Sequence, residues 1–154
     1  MNIIALDIDD CILPTNNNYF GMTDDAELML EINLKRLVMI IDKYNMKVFI
    51  TSSWYAILNL KDGVLSLKYH KEDECTFRQF NLLNKYIGNH IIGLSCGNRI
   101  TDIKKLSTEN NVVILDDMDL SECENDNVLF CETKGFISGN HGYKIKNFLE
   151  NIPL

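Results

Sequence analysis

At 154 residues and 46% hydrophobic content, the chain is long enough to bury a continuous core without disulfides or a structural metal, and one globular domain over 1–154 is expected. A net charge of −7 disfavours high-affinity duplex binding through a broad basic face. Five scattered cysteines with no Cys-x-x-Cys pair fit reduced thiols rather than a disulfide framework or a zinc knuckle.

The first apolar run, 2–6, predicts a buried strand that ends in Asp7-Ile8-Asp9-Asp10-Cys11. No basic region precedes it and it meets acids at once, so no signal peptide is expected and the chain reads as soluble and cytoplasmic. Leu30, Leu34, Leu37, Ile41 and Tyr44 recur at helical spacing, predicting a helix that begins near Thr23 or Asp24. The apolar run 37–41 inside it is too short to span a bilayer, and no membrane partner is expected. A second strand at 46–50 leads into the hydroxyl cluster Thr51-Ser52-Ser53 and then Trp54. Residues 54–76 hold either a small lid or a long connection.

A helix over 76–87 follows, with Phe77, Phe80, Leu83, Tyr86 and Ile87 turned inward and Gly88 just past its end. Next come a strand at 91–94, a helix from Arg99 to about Thr108, and a strand at 112–115 that runs into Asp116-Asp117. A strand at 128–131 and a helix at 143–149 complete the chain. Asn16-Asn17-Asn18 and 121–127 read as solvated loops. His70, His90 and His141 are too widely separated to suggest paired metal ligands.

Strands alternating with helices predict an α/β fold: a Rossmann-like three-layer sandwich around a mainly parallel sheet of about five strands, with no large cap domain. Right-handed crossovers put the C-terminal end of every strand on one edge, where ligands bind in such sheets. The residues just past the strands then converge: Asp7, Asp9 and Asp10, with Thr51, Ser52 and Ser53, and with Asp116 and Asp117.

Carboxylates from two strand ends with hydroxyls between them suit a hard dication, Mg2+ above all, and a phosphate bridging metal and protein. Asp7 is placed to attack phosphorus as a nucleophile, and Asp9, two residues on, to serve as acid and then base. Thr51 would hold a phosphoryl oxygen, with Ser52 as the other candidate for that contact. Asp7 and Asp9 would also ligate the metal, Asp116 would complete its shell, and Asp117 would supply a second ligand or hold bound water. Trp54 would wall the pocket, stack a base or plug the core. A calcium loop counted from Asp7 fails, because Ile12 stands where it needs Gly and Asn18 where it needs Glu. A receiver domain needs an aspartate after its third strand, where Leu94-Ser95-Cys96 stands.

Asp7-Ile8-Asp9-Asp10-Cys11, Val48-Phe49-Ile50-Thr51 and Val113-Ile114-Leu115-Asp116-Asp117 resemble, in order, motifs one, two and four of the haloacid-dehalogenase-like (HAD) phosphohydrolases. Ile50-Thr51-Ser52-Ser53-Trp54, Arg99-Ile100-Thr101-Asp102-Ile103 and Thr133-Lys134-Gly135-Phe136-Ile137-Ser138 are similar to the HAD domain of Swiss-Army-knife RNA-repair proteins. The resemblance implies Mg2+-dependent phosphomonoester hydrolysis through an aspartyl phosphate, with roles at Asp7, Asp9, Thr51 and Asp116. It also implies a helical turn and flap over 11–22. Arg99 fits the spacing of the third-motif cation, and Lys104 fits its residue type. Cys11 and Tyr55 depart from the pattern: the family has Thr or Val at the first position, and the subgroup has Arg at the second. The substrate is then a phosphorylated small molecule, a nucleotide, or a nucleic-acid end. The alternative is a non-catalytic phosphate-binding or protein-interaction module on the same fold.

Overall fold

The computed structural model describes residues 1–15, 23–68 and 74–152. In chain order the elements are β1 (Asn2–Leu6), α1 (Thr23–Tyr44), β2 (Met46–Ile50), β3 (Leu58–Lys61), β4 (Val64–Leu67) and α2 (Glu74–Ile87). β5 (Ile91–Leu94), α3 (Arg99–Leu106), β6 (Asn111–Asp116), β7 (Val128–Glu132) and α4 (Gly139–Glu150) follow. Five of the strands form one sheet in the order β5-β2-β1-β6-β7, with every neighbouring pair parallel. This is a Rossmann-like α/β sandwich, and no large cap domain occurs among the described residues.

The central strands β1 and β6 are apolar between their ends, Ile3–Leu6 and Val112–Leu115, because both faces of the sheet are covered, as parallel sheets require. Period-two alternation sorts their side chains. Ile4, Leu6, Val113 and Leu115 join one core with Leu30, Leu34, Leu37 and Ile41 of α1, Phe80 and Leu83 of α2, and Ile145 of α4. Ala5, Val112 and Ile114 face the other way and pack with Ile103 of α3 and with Leu120 and Cys123. Burying each such leucine contributes about 1.5–3 kcal/mol, so the two cores anchor the sheet from both sides.

Several boundaries differ from the sequence expectation. α4 starts at Gly139, four residues before the expected Tyr143, because Ser138 caps it: the His141 backbone N–H donates to Ser138 Oγ while His141 Nδ1 accepts from the Ser138 N–H. On α2 the buried positions are Gln79, Phe80, Leu83 and Ile87. Phe77, expected inward, is 53% exposed, because it lies off the stripe set by Phe80, Leu83 and Ile87.

In the stretch 54–76, a one-turn 3-10 helix (Ser53–Ala56) is followed by the antiparallel hairpin of β3 and β4. The loop Asp62-Gly63 turns with φ of 53° and 77°, the left-handed pair that a tight hairpin demands and that Asp-Gly supplies at low cost. Leu58 and Leu65 seat the hairpin in the main core beside Trp54. The expected flap falls partly outside the described residues, at 16–22, as do His70 and Pro153. No helix among the described residues is long and apolar enough to cross a membrane.

Candidate active site

The sheet register sets the site. Leu6 pairs with Ile50 on one side and with Leu115 on the other. The ladder continues one step further, with Asp7 N–H donating to Leu115 O and Thr51 N–H to Leu6 O, both at 2.9 Å. Asp7, Thr51 and Asp116 therefore stand side by side on adjacent strands, whose spacing in a sheet is about 4.8 Å. The chain leaves β1 toward β2 and β6 toward β7, so the gap between β1 and β6 is the topological switch point where such sheets bind ligands.

Asp7, Asp116 and Asp117 each present a carboxylate oxygen within 4.8 Å of the others. Arg99, the first residue of α3, closes the cluster. Its Nη1 donates to both oxygens of Asp116 at 2.8 and 2.7 Å. Its Nη2 lies 3.3 Å from Asp7 Oδ1, close enough for an ion pair but not aligned as a hydrogen bond. Among the described residues two buried oxygens are left without a hydrogen-bond partner, Asp7 Oδ1 and Thr51 Oγ1. Buried polar atoms are nearly always paired, because an orphan costs about 1–3 kcal/mol, so two orphans on adjacent strands mark a place built for an absent partner.

Electrostatics agree with that. Three ionised carboxylates against one guanidinium leave an excess of two negative charges. The cluster meets the excess by holding a proton. Burial, then hydrogen bonding with Asp117 and the field of Asp116, raises Asp7 to about 8. Burial also raises Asp116, against the pull of the Met118 N–H and Arg99. Burial opposes the charge on Arg99, yet Asp7 and Asp116 hold its pKa above the ordinary value. A hard dication fits this all-oxygen donor set and would replace the proton. Cys11 is buried beside the acids, and burial followed by the charges of Asp7, Asp116 and Asp117 pushes its thiol well above the usual range.

Asp9 stands outside the three-carboxylate cluster. Its Oδ1 accepts a 3.0 Å hydrogen bond from Trp54 Nε1. Burial raises the Asp9 carboxyl, and the Trp54 bond pulls it partly back. Trp54 is only 6% exposed, so it is a core residue with its polar tip in the site. Ser52 Oγ accepts from the Trp54 backbone N–H and caps the 3-10 turn, whereas the Thr51 hydroxyl has no partner among the described residues. Lys104 is exposed on α3, and its charge is felt at the Cys123 thiol rather than at the acids. Asp10 has its Oδ1 taken by the Thr15 backbone and hydroxyl, a turn-forming role. Tyr55 is exposed, and its hydroxyl lies against Gly97 in the loop after β5.

One residue escaped the sequence reading. Asn33 is fully buried on α1, donating to the carbonyls of Ile12 (2.7 Å) and Gly135 (3.0 Å) and accepting from the Ile137 N–H (2.8 Å). It ties the loop after β1 to the loop after β7. The available signal was a lone amide inside the stripe Leu30, Leu34, Leu37. No family model, curated protein or solved structure matches the chain.

Proposed function

We propose that the protein is a Mg2+-dependent phosphomonoesterase of the HAD type, working through an aspartyl phosphate at Asp7. The observation that carries this is the pairing of an orphaned nucleophile oxygen with an orphaned hydroxyl, Asp7 and Thr51, beside the acids Asp116 and Asp117. Asp7, Asp116 and Asp117 would hold the metal, which when bound supplies Lewis-acid neutralisation of the phosphoryl charge.

The residues then divide the work. An Asp7 oxygen attacks phosphorus in line as the bond to the leaving oxygen breaks, and Asp9 gives that oxygen its proton. Thr51 Oγ1 donates to a phosphoryl oxygen throughout. Arg99 spreads positive charge over the nucleophile and the transferred group. Water next attacks the phosphorus, Asp9 takes its proton, and the acyl phosphate bond breaks to give inorganic phosphate and free Asp7.

With no large cap among the described residues, small phosphates, nucleotides and nucleic-acid ends are all candidate substrates. Turnover of p-nitrophenyl phosphate in Mg2+, its loss in EDTA and its loss in Asp7→Asn test the mechanism. Activity that survives Asp7→Asn would falsify it, and Mg2+ binding without turnover of any ester would leave a non-catalytic phosphate-binding module. A 3′-phosphorylated oligonucleotide compared with mononucleotides across salt concentrations separates substrate classes, since backbone contacts weaken with salt.

A further inference from the structure

Trp54 joins a buried ring to a polar tip that is bonded to an acid of the site. Its ring is 6% exposed, which leaves little aromatic face for stacking a substrate, and its one polar atom points at a carboxylate across 45 residues of sequence. The turn that carries it is tightly built. Ser52 Oγ accepts from Trp54 N–H at 3.2 Å, Tyr55 N–H donates to Ser52 O at 3.1 Å, and Ile57 N–H donates to Trp54 O at 3.0 Å. Leu58 of β3 joins the same core as the indole, so the ring is held by packing as well as by its backbone.

The other side of the bond is equally constrained. Ile8 O accepts from the backbone N–H groups of Cys11, Ile12 and Leu13, and Asp10 N–H donates to Leu13 O. Asp10 adopts a left-handed φ of 59° to close this turn. The backbone of Asp9 is thereby fixed, but its side chain can still rotate. The indole N–H selects one orientation by binding Oδ1, which keeps the carboxylate away from the acids of the metal cluster and leaves Oδ2 for a reacting oxygen.

We propose that Trp54 is a positioning residue: its indole N–H holds the Asp9 carboxylate in place as the acid and base of phosphoryl transfer. Its role is thus to aim Asp9 and not to bind the leaving group. The inference rests on the phosphatase mechanism proposed above. The segment from Thr51 to Trp54 then has three tasks in four residues: a hydroxyl for the phosphoryl oxygen, a cap for the turn, and a donor for the acid.

The first test needs no turnover. Trp54 is the only tryptophan, so a 15N-labelled sample gives a single indole N–H signal. The signal should move upfield and its proton should exchange faster with water in Asp9→Ala. An indole signal unchanged by Asp9→Ala would overturn the inference.

The second test uses Trp54→Phe, which keeps a ring and removes the donor, with kcat/KM read for p-nitrophenyl phosphate and for a simple alkyl phosphate. Nitrophenolate departs without a proton, whereas an alkoxide needs one from Asp9. The expected result is a loss of about 10-fold or more for the alkyl ester, within the range general acid catalysis supplies, and about 2-fold or less for the aryl ester. KM should stay unchanged, and the variant should add little in an Asp9→Asn background. Equal losses for both esters, or a loss confined to KM, would show a structural or substrate-binding role and overturn the inference. If Trp54→Phe fails to fold, the indole signal in Asp9→Ala decides. If wild-type protein turns over neither ester while that signal still reports the bond, the phosphatase mechanism fails and this role fails with it.

Discussion

Arg99 Nη1 binds both carboxylate oxygens of Asp116, at 2.8 and 2.7 Å, while Nη2 of the same guanidinium lies 3.3 Å from Asp7. One cation therefore compensates two buried acids that arrive from adjacent strands. Removing one partner of a buried ion pair typically costs about 3–5 kcal/mol, because the remaining charge has no counterion. Arg99→Met should lose about 3 kcal/mol at neutral pH, the lower end, because the acids can take up protons instead. Arg99→Lys should lose less, since a point charge can still face one acid at a time. Urea denaturation of the metal-free variants measures both, and equal stability of Arg99→Met and wild-type protein would show that the pair is not held in solution.

Thr51 sets stability against function. Its buried hydroxyl has no partner, and such an orphan costs about 1–3 kcal/mol. Thr51→Val keeps the β-branched shape and removes the polar atom, so the metal-free protein should gain about 1 kcal/mol. The same change should lower kcat/KM by about 10-fold or more, as expected when one donor to a transition-state oxygen is lost. Thermal unfolding and steady-state kinetics on one preparation check the pair of outcomes. A variant that is less stable and fully active would contradict it.

Asn33 makes three hydrogen bonds to the backbone of two loops. Asn33→Ala would strand two carbonyls and one N–H, and a loss of about 3 kcal/mol is expected from their desolvation. Because one of these loops follows directly from Asp9, turnover should fall as well, even though Asn33 belongs to the helix layer. Denaturant titration gives the first quantity, and assay under conditions where the variant is still folded gives the second.

Much of this was legible in sequence because apolar runs and acid placement act locally. The five sheet strands follow from runs such as 2–6 and 46–50, which are apolar apart from Asn2 and Lys47. The gathering of Asp7, Thr51 and Asp116 follows from the shared edge of a parallel sheet. The hairpin of β3 and β4 was missed although Asp62-Gly63 advertised it, because the strands flanking it are only four residues each, too short for their alternation to stand out. The bond from Trp54 to Asp9 and the bridging by Asn33 depend on distances between loops far apart in sequence, which no local pattern encodes. The outward turn of Phe77 reflects the rotation of a whole helix against its neighbours, again a tertiary effect.

The raised pKa of Asp7 fixes a pH dependence. A carboxyl near 3.8 in the unfolded chain and near 8 in the fold means that the folded state binds more protons between those values. Stability of the metal-free protein is then greatest below about pH 4 as far as this group is concerned, and declines as pH rises toward 8. Added Mg2+ must displace that proton, so its stabilising effect should grow over the same range. Thermal midpoints in EDTA and in Mg2+ at a series of pH values measure this. A Mg2+ effect that shrinks as pH rises would contradict the assignment.

The proposed mechanism puts the phosphoryl group on Asp7. Protein mixed with Mg2+ and p-nitrophenyl phosphate, quenched in acid and reduced with borohydride, should yield a peptide with homoserine at position 7, and the conversion should disappear in EDTA. Sustained turnover with position 7 unmodified, or reduction at another acid, would contradict the account.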